Sequence, residues 1–420
     1  MSNTSHPSKT GHPSETGHPR ETGHPRESGP PPESEAPWIG WPTPRSAYIH
    51  VPFCRHRCGY CNFSVVAGRD DLIQRYLDAV DAELRPLDRP AISTLFIGGG
   101  TPTHLSHGQL DRFLKQLAAR FELSAGIEWT VEANPEDITT DKLQLLVDHG
   151  VNRISLGVQS FNAKKLVTLE RSHDADAVQG IVQKVAGYIA NVSIDLIFAA
   201  PGETLTEWEQ DLRTALSLPI THLSTYALTF EKGTSFWTRR RSGELEPATE
   251  QAEVDMYLAT RTATAKVGLE QYEVSSFARA GSRCRHNLAY WRGQGWYAAG
   301  PGAASFVDGH RKMNHRSTTT YLRRMERGDD PIFESESEVL SQLEYACERM
   351  AFGLRMIDGV RVGDLSKETG IDLAAYFADE LSQLTSDGLI AESADRVCLT
   401  ERGILYADTV AAAFLDRMSR

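Results

Sequence analysis

Short β-rich runs alternate with longer amphipathic stretches through the middle of this sequence, and few folds accommodate that alternation. The six runs are Ala47–Val51, Thr94–Ile97, Glu128–Val131, Arg153–Val158, Val192–Phe198 and His222–Leu228. The stretches between them, such as Leu72–Leu84 and Asp111–Phe121, carry apolar residues at helical spacing. This alternation predicts an α/β fold with parallel strands joined by right-handed crossovers. A partial or full β/α barrel and a doubly wound sheet both fit, and the pattern alone does not separate them.

Composition excludes several classes of protein. The 420 residues suggest two or three domains, and 44 basic against 56 acidic side chains give a net charge of −12, which provides no general field for nucleic acid or anionic lipid. No apolar run approaches the roughly 20 residues that cross a membrane, and the polar N-terminus lacks the apolar core of a secretory signal. Six cysteines are too few for a disulfide framework, so we expect a reducing cytoplasm.

The N-terminal segment, residues 1–45, differs from the rest of the chain. A six-residue unit that begins with His-Pro repeats four times from His6, and it runs into Gly29-Pro30-Pro31-Pro32. Such a segment buries too little apolar surface to offset its ordering entropy, so we predict a disordered tail. Its histidines could bind a metal weakly, but a solvated, duplicated linker is the simpler interpretation.

Unusual residues follow the predicted strands, at the edge where α/β barrels form their sites. They are Pro52-Phe53-Cys54, Gly98-Gly99-Gly100-Thr101-Pro102, Glu132-Ala133-Asn134-Pro135, Gln159-Ser160-Phe161 and, inside the fifth run, Asp195. Glycine and proline at one strand end are explained by chain turning alone. That explanation accounts less well for all five strands together, so we predict one functional site at this edge.

Cys54, Cys58 and Cys61 form a C-x3-C-x2-C motif, a spacing that composition alone does not explain. Three thiolates in one short loop suit an iron–sulfur cluster or zinc. Zinc would need a fourth ligand, and His50 or His56 could supply it. A [4Fe–4S] cluster normally takes four thiolates, so three would leave one iron open to a small molecule.

The segment Tyr48–Phe63, YIHVPFCRHRCGYCNF, resembles the signature of the radical S-adenosylmethionine (SAM) family. That resemblance implies a six-unit partial (β/α) barrel whose open iron chelates the amine and carboxylate of SAM. Further motifs resemble the oxygen-independent coproporphyrinogen III oxidase-like branch of the family: Phe96–Thr103, Val131–Glu136, Arg153–Asn162, Ile194–Thr204 and Leu223–Phe236. The resemblance extends over nearly the whole chain from Ser46 onward.

The resemblance also implies a set of ligand-binding residues. Cys54, Cys58 and Cys61 would hold the cluster. The expected SAM residues are Gly99, Gly100 and Thr101 for the methionyl amine, Glu132 for the amine or ribose, Gln159 and Asp195 for the ribose, Arg171 for the carboxylate, Tyr60 for the adenine and Tyr48 for the methionyl group. A guanidinium matches a carboxylate in shape, which suits Arg171 to its expected role. Ordinary aromatic packing is the alternative for Tyr48 and Tyr60.

Two functions are known on this branch, and both use the same cluster and SAM site. One is that of the coproporphyrinogen III dehydrogenase, which decarboxylates coproporphyrinogen III by radical chemistry. The other is that of a heme chaperone, which passes heme to client hemoproteins such as respiratory cytochromes. Phe63 stands where the dehydrogenase usually has a further cysteine, and His286–Trp291 matches the H-N-x-x-Y-W motif of the chaperones. We therefore expect a chaperone, with His286 as a candidate heme ligand and Cys284 as its competitor. A zinc-stabilised scaffold without redox chemistry is a third hypothesis.

We divide the ordered chain into a barrel at 46–280, a connecting segment with the H-N-x-x-Y-W motif at 281–334, and a C-terminal domain at 335–420. In the last of these, helices precede the Gly388-Leu389-Ile390 turn, and a strand and a final helix follow it. That order resembles a small winged-helix-like domain. Because the domain lacks a dense basic helix, we expect it to contact protein or cover the site rather than bind nucleic acid.

Overall fold

The computed structural model describes residues 38, 40–171, 173–393 and 395–419. The predicted His/Pro tail therefore lies largely outside the described residues. Its last part is packed, because Trp38 and Trp41 contact the ring of Tyr345 at centroid distances of 5.5 and 5.3 Å. The compact body accordingly begins at Trp38, ahead of the boundary at Ser46 that we drew from the sequence.

Sixteen strands occur in the described residues. They are β1 (Ser46–Val51), β2 (Phe53–Cys54), β3 (Val66–Ala67), β4 (Ala91–Gly99), β5 (Glu122–Ala133), β6 (Arg153–Gln159), β7 (Asn191–Phe198), β8 (His222–Ala227), β9 (Glu270–Glu273), β10 (Ser276–Ala278), β11 (Trp296–Ala299), β12 (Ala304–Val307), β13 (His310–Met313), β14 (Glu338–Val339), β15 (Ile390–Glu392) and β16 (Val397–Leu399). The six predicted runs correspond to β1 and to β4 through β8.

Fifteen α-helices occur in the same residues. They are α1 (Ile73–Leu84), α2 (His107–Arg120), α3 (Thr140–Asp148), α4 (Ala163–Thr168), α5 (Ala175–Ala186), α6 (Leu205–Leu216), α7 (Ser235–Arg241), α8 (Glu250–Lys266), α9 (Arg285–Trp291), α10 (Thr318–Arg327), α11 (Gln342–Gly353), α12 (Val362–Thr369), α13 (Leu373–Tyr376), α14 (Ala378–Ser386) and α15 (Ala407–Leu415). Local sequence begins several of them: Ser106 and Gln109 form a capping box on α2, as Thr204 and Glu207 do on α6. No helix among the described residues is long and apolar enough to span a bilayer.

The strand order of the main sheet decides between the two folds that the sequence left open. The six parallel strands lie in the order β1-β4-β5-β6-β7-β8, which is their order along the chain. A doubly wound sheet reverses its order at a switch point, whereas a barrel-type sheet does not. The sheet is not closed, because β1 continues to β11 and β8 continues to β10. The predicted partial (β/α) barrel is confirmed.

The segment 281–334, which we separated from the barrel on sequence, extends the same sheet. Strand β11 pairs in parallel with β1, and β12, β13 and β14 follow in antiparallel order. Helix α9 carries the H-N-x-x-Y-W motif and ends shortly before β11. The motif packs against β4 and β5, where His286 contacts Thr94, Phe96 and Glu128.

The C-terminal helices build a core of their own around Phe377, Val410 and Phe414. Strands β15 and β16 form an antiparallel hairpin between α14 and α15, which is the winged-helix-like arrangement that the sequence predicted. Ile404, just before α15, belongs instead to the main core under the barrel sheet. The end of the chain is thereby joined to the barrel.

Candidate functional site

A cavity of about 730 Å³ lies at the carboxyl ends of the parallel strands, within the usual volume range of ligand sites. Eleven of the thirteen residues predicted for the site line this cavity: Cys54, Cys58, Tyr60, Cys61, Gly99, Gly100, Thr101, Glu132, Gln159, Arg171 and Asp195. They come from five different strands or the loops that follow them. Because parallel strands all end at the same edge, residues far apart in sequence meet there.

The cysteine loop is closed at its base by two very short strands. Strand β2 pairs in parallel with β3, and the Val66 amide donates to the Pro52 carbonyl at 2.8 Å. Cys54 Sγ lies 3.6 Å from Thr101 Oγ1, and Arg171 Nη1 lies 3.8 Å from Cys58 Sγ. Burial raises the pKa of the Cys54 thiol to about 12 and also raises that of Cys61. The loop thus presents three partly buried thiols to one cavity.

The three thiols do not converge on a single point. Within the part of the chain that the structure describes, no three His, Cys, Asp or Glu side chains are grouped to hold one metal ion. His50, which could have supplied a zinc ligand, is occupied elsewhere: its Nδ1 lies 3.0 Å from the Tyr48 hydroxyl and its Nε2 lies 3.1 Å from the Ser64 carbonyl. Burial lowers the pKa of His50 to about 4, so the ring is neutral and serves as a support.

The glycine turn after β4 is held against β1 by contacts that leave no room for a side chain. Gly99 has a φ of +104°, and a Cβ atom there would approach the His50 ring to 2.4 Å. A Cβ at Gly100 would lie 2.7 Å from the Phe53 carbonyl. The His50 ring beside Gly99 and the backbone beside Gly100 therefore explain these glycines, and the lack of side chains leaves the turn's backbone open toward the cavity.

Two acids face the cavity from β5 and β7, the strands on either side of β6. Glu132 Oε2 accepts a hydrogen bond from the Gly99 amide at 2.9 Å, and Asp195 Oδ2 lies 3.1 Å from Ser155 Oγ. Burial raises the pKa of Glu132 to about 8, with Asp195 adding to the rise. Burial also raises the pKa of Asp195 to about 6, against the hydrogen bonds from Ser224 and Ser155. Such a pair can hold a proton near neutral pH and accept hydrogen bonds from hydroxyl or ammonium groups.

Arg171 is held by groups that the sequence analysis did not assign. Its Nη2 donates to Asn134 Oδ1 at 2.7 Å and to the Gly157 carbonyl at 2.8 Å. Asn134 in turn donates from Nδ2 to Thr101 Oγ1 at 2.8 Å. Gln159 has a φ of +66° where the register between β6 and β7 shifts. The signal for Asn134 was present, since it directly follows β5 in the VEANPE motif.

Aromatic side chains form much of the remaining wall. Tyr60 packs edge-on against Phe236 with centroids 6.0 Å apart. Phe63, Tyr226 and Tyr406 also line the cavity and are 59%, 46% and 49% exposed. Tyr226 and Tyr406 were not anticipated, because tyrosine in a strand or helix reads as ordinary packing. Their exposed rings give the cavity a broad apolar surface.

Tyr48 and His286 lie outside the lining of this cavity. The Tyr48 ring packs near Phe96, whose ring stacks on His286 at 5.1 Å. His286 is 1% exposed; its Nδ1 lies 2.9 Å from Thr94 Oγ1 and its Nε2 lies 2.9 Å from the Tyr290 hydroxyl. Burial lowers its pKa to about 3. Both ring nitrogens are engaged, so binding of heme iron by His286 would require one of these bonds to break.

Cys284, the competing candidate ligand, is also enclosed. It is 3% exposed, and its Sγ donates to Glu128 Oε1 at 3.6 Å. Burial raises the pKa of this thiol to about 12. Glu128 also accepts from the His286 amide at 3.0 Å and pairs with Arg153 at 3.2 Å. The start of α9 is thus fixed to the barrel by a buried acid that the sequence did not single out.

Comparison with known proteins agrees with this arrangement. Residues 48–215 match the radical SAM superfamily, and residues 340–406 match the HemN C-terminal domain. The heme chaperone HemW of Bacillus subtilis is 35% identical over 380 residues, which cover 89% of this chain and 100% of that protein. The heme chaperone HemW of Escherichia coli is 32% identical over 381 residues, which cover 89% and 98%.

Among solved structures, coproporphyrinogen III oxidase (HemN) from Escherichia coli aligns with a TM-score of 0.78 over 89% of this chain and 90% of that one. At 22% identity, that likeness establishes a common fold. The relatives above establish more, because they match at 32% and 35% identity over nearly their whole length. The predicted resemblance is confirmed, and the chain belongs to the HemW family of the radical SAM superfamily.

Proposed function

We propose that this protein is a heme chaperone that carries a [4Fe–4S] cluster and SAM, binds heme, and transfers it to client hemoproteins. The observation that carries the proposal is the match to HemW chaperones over 89% of this chain. Phe63 adds to it, since the dehydrogenase alternative usually has a cysteine at that position. Phe63 is 59% exposed at the cavity, where an apolar ring is suited to contact a flat ligand.

The donor set fits an iron–sulfur cluster. Cys54, Cys58 and Cys61 supply three soft ligands on one wall of a partly enclosed cavity. Burial raises the pKa values of the Cys54 and Cys61 thiols, so binding of a metal there would release their protons. When bound, such a cluster supplies an electron and one open coordination position for SAM. Arg171, beside Cys58, would offset the negative charge that the thiolates bring.

The residues around the cluster loop are proposed to bind SAM. The Gly99-Gly100 backbone and Thr101 face the methionyl end, while Glu132 and Asp195 offer carboxylates to hydroxyl and ammonium groups. Arg171 is suited to the SAM carboxylate, and Gln159 and Tyr60 to the ribose and adenine. Tyr48 lies behind this wall against His50, so we propose that it supports the glycine turn.

The proposed setting is the cytoplasm, and the proposed partners are heme and client hemoproteins such as membrane-associated respiratory cytochromes. All six cysteines, each within the described residues, are free thiols, as suits a reducing compartment. The net charge of −12 disfavours direct binding to nucleic acid or anionic lipid. Contact with a membrane would therefore run through the client protein.

The test is anaerobic reconstitution followed by two parallel assays. The protein is loaded with iron and sulfide, and SAM and reductant are added with coproporphyrinogen III in one tube and with heme in the other. We expect no protoporphyrinogen in the first tube and a saturable, Soret-shifted complex in the second. Protoporphyrinogen formation would make the protein a dehydrogenase, and absence of a saturable heme complex would contradict the chaperone assignment.

The cluster assignment has its own test. Cys58→Ser should lose most of the roughly four irons expected per chain, because no spare thiol lies in the loop. Cys398→Ser is the matched control, since that thiol contacts the Asp358 carbonyl in the C-terminal domain and should leave iron unchanged. Zinc in place of iron and sulfide in the wild-type protein would instead favour the scaffold hypothesis.

A further inference from the structure

Part of the cavity is built by the end of the chain, which the SAM residues do not use. This C-terminal wall consists of Arg355 and residues 404–409, all of which line the cavity. Apolar and aromatic groups from the barrel continue it, namely Val254, Tyr257 and Val274. A cation set into an apolar surface of this kind is suited to a flat, apolar ligand with an acidic edge.

Arg355 is fixed in place but incompletely paired. Its backbone carbonyl accepts from the Val274 amide at 3.0 Å, and its guanidinium lies over the Trp291 ring at 4.8 Å. Its buried Nε has no hydrogen-bond partner. Its Nη1 donates to Asp408 Oδ1 at 2.9 Å, and the Asp408 side chain is 95% exposed. An ion pair with so exposed a partner contributes little, so a ligand carboxylate can replace Asp408.

The charges around the cavity make Arg355 the cation that can still take an anion on this wall. Of the other lining arginines, Arg171 is already held by Asn134 and the Gly157 carbonyl, and Arg57 belongs to the cysteine loop. The acids near the C-terminal wall are Glu231 and Glu253, which line the cavity, and Glu273, which Arg355 faces. Because this wall has one available cation and three nearby acids, it suits a ligand that places a single carboxylate at Arg355.

We propose that Arg355, positioned by Trp291, binds one propionate of heme while the porphyrin lies against the C-terminal wall. This inference rests on the proposed chaperone function. A guanidinium–carboxylate contact of this kind is among the stronger hydrogen bonds available in a protein.

The inference assigns a physical role to the H-N-x-x-Y-W motif. His286 and Tyr290 are tied to each other and to Thr94, which fixes α9 against the barrel. The ring of Trp291, at the end of that helix, then packs against the Arg355 guanidinium. The motif would influence heme binding through the position of Arg355, without any of its side chains contacting iron.

The test compares heme with its dimethyl ester, which lacks the propionate charges. Dissociation constants are measured by Soret titration of the reconstituted protein. We expect the wild-type protein to bind heme about tenfold more tightly than the ester. Arg355→Met should weaken heme binding about tenfold and leave ester binding unchanged. Trp291→Leu should shift the same ratio in the same direction, whereas a purely structural role would weaken both ligands alike.

Two control variants sharpen the comparison. Arg361→Met removes one positive charge from the same domain at an exposed site and should change neither affinity. Asp408→Asn removes the competing acid and should strengthen heme binding severalfold without affecting the ester. If Arg355→Met does not fold, as judged by its iron content and thermal transition, Arg355→Lys replaces it and should retain part of the preference for heme.

The outcomes separate this inference from the function on which it rests. Equal losses of heme and ester binding in Arg355→Met, or no loss of either, would overturn the propionate contact while leaving a heme-binding protein. A wild-type protein that binds the ester as tightly as heme would also overturn it. A wild-type protein that binds neither would overturn the chaperone function itself, and this inference with it.

Discussion

Individual residues at the candidate site are constrained by their neighbours at least as strongly as by any ligand. Gly99 is small because the His50 ring lies where its side chain would be. His50 is neutral and bonded on both ring nitrogens. Glu132 retains its position by accepting from the Gly99 amide. Substitution of one of these residues therefore disturbs the whole glycine turn that follows β4.

Gly99→Ala tests that packing. The positive φ and the 2.4 Å approach to the His50 ring should together lower the free energy of unfolding by about 2–5 kcal/mol. Gly108→Ala in α2 is the matched control, since nothing lies within 4 Å of its position, and it should be neutral or stabilising by up to about 1 kcal/mol. Urea denaturation measures both. Equal effects of the two substitutions would contradict the packing argument.

The buried Glu132 carboxyl predicts a pH dependence of stability. Its pKa is about 8 in the fold against an ordinary 4.5, so between these values the native state holds a proton that the unfolded chain has released. Stability contributed by the protonated form is therefore lost as pH rises from about 5 to 8. Glu132→Gln cannot ionise and should escape that loss.

The measurement is urea denaturation from pH 5 to 9 without added SAM. At pH 9 we expect Glu132→Gln to be more stable than the wild-type protein by about 2–4 kcal/mol, and the difference should nearly vanish at pH 5. Glu122→Gln, at an exposed position of β5, is the control for loss of one charge and should follow the wild-type curve. Parallel curves for Glu132→Gln and wild type would show that the carboxyl is not buried as described.

At the scale of an element, a buried ion network holds α4 and the loop that precedes it. Lys165 Nζ lies 2.5 Å from Glu203 Oε1 and 3.2 Å from Asp211 Oδ2, with both acids 2% exposed. Asp211 also accepts from the Phe161 amide at 2.8 Å. The chain from β6 to Arg171 passes through this network. The network therefore fixes where α4 ends and where Arg171 enters the cavity.

Lys165→Met should be strongly destabilising, because it leaves two buried carboxylates without a cation. We expect a loss of about 3–5 kcal/mol in the free energy of unfolding. Lys115→Met is the control: that lysine is exposed and pairs with Asp111 at 2.7 Å within α2, and its loss should stay within about 1 kcal/mol. A small effect at Lys165 would indicate that one acid is protonated in the native state.

At the scale of the molecule, the C-terminal domain is fastened to the barrel at the rim of the cavity. Ile404 is 5% exposed and belongs to the main core, while Arg261 of α8 pairs with Glu401. The Met356 backbone forms an antiparallel bridge to Glu273 at the end of β9. The wall that carries Arg355 is consequently part of the folded body, and its position depends on both cores.

Comparison of Ile404→Ala with Glu401→Gln separates the contribution of the buried core from that of the exposed ion pair to this attachment. Removal of its side chain from the core should lower the free energy of unfolding by about 2–4 kcal/mol. Glu401→Gln breaks an ion pair whose acid is 82% exposed and should cost at most about 1 kcal/mol. Urea denaturation of the two variants side by side gives the comparison. A larger loss for Glu401→Gln would mean that the ion pair, not the core, holds the domain.

Much of the fold could be predicted from the sequence, because local patterns of residues determine most of its strands and helices. Alternating β-rich and amphipathic segments predicted β1, β4 through β8, and helices such as α1 and α2. The cysteine spacing, the strand-end residues and the family resemblance together predicted eleven residues that line the cavity. The burial of His286 could not be predicted from local sequence. Helix α9 has only seven residues, and its sequence does not indicate which of its faces packs against the barrel.

The sequence by itself determined the order of the elements, the cysteine loop and the family, because each rests on residues close together in the chain. Only the tertiary structure decided that β11 extends the sheet beyond β1, that Asn134 links Thr101 to Arg171, and that Arg355 reaches the cavity from a distant part of the chain. The physical reason is that these are contacts between distant segments. They depend on strand register and on how two cores pack, and a linear pattern does not contain either.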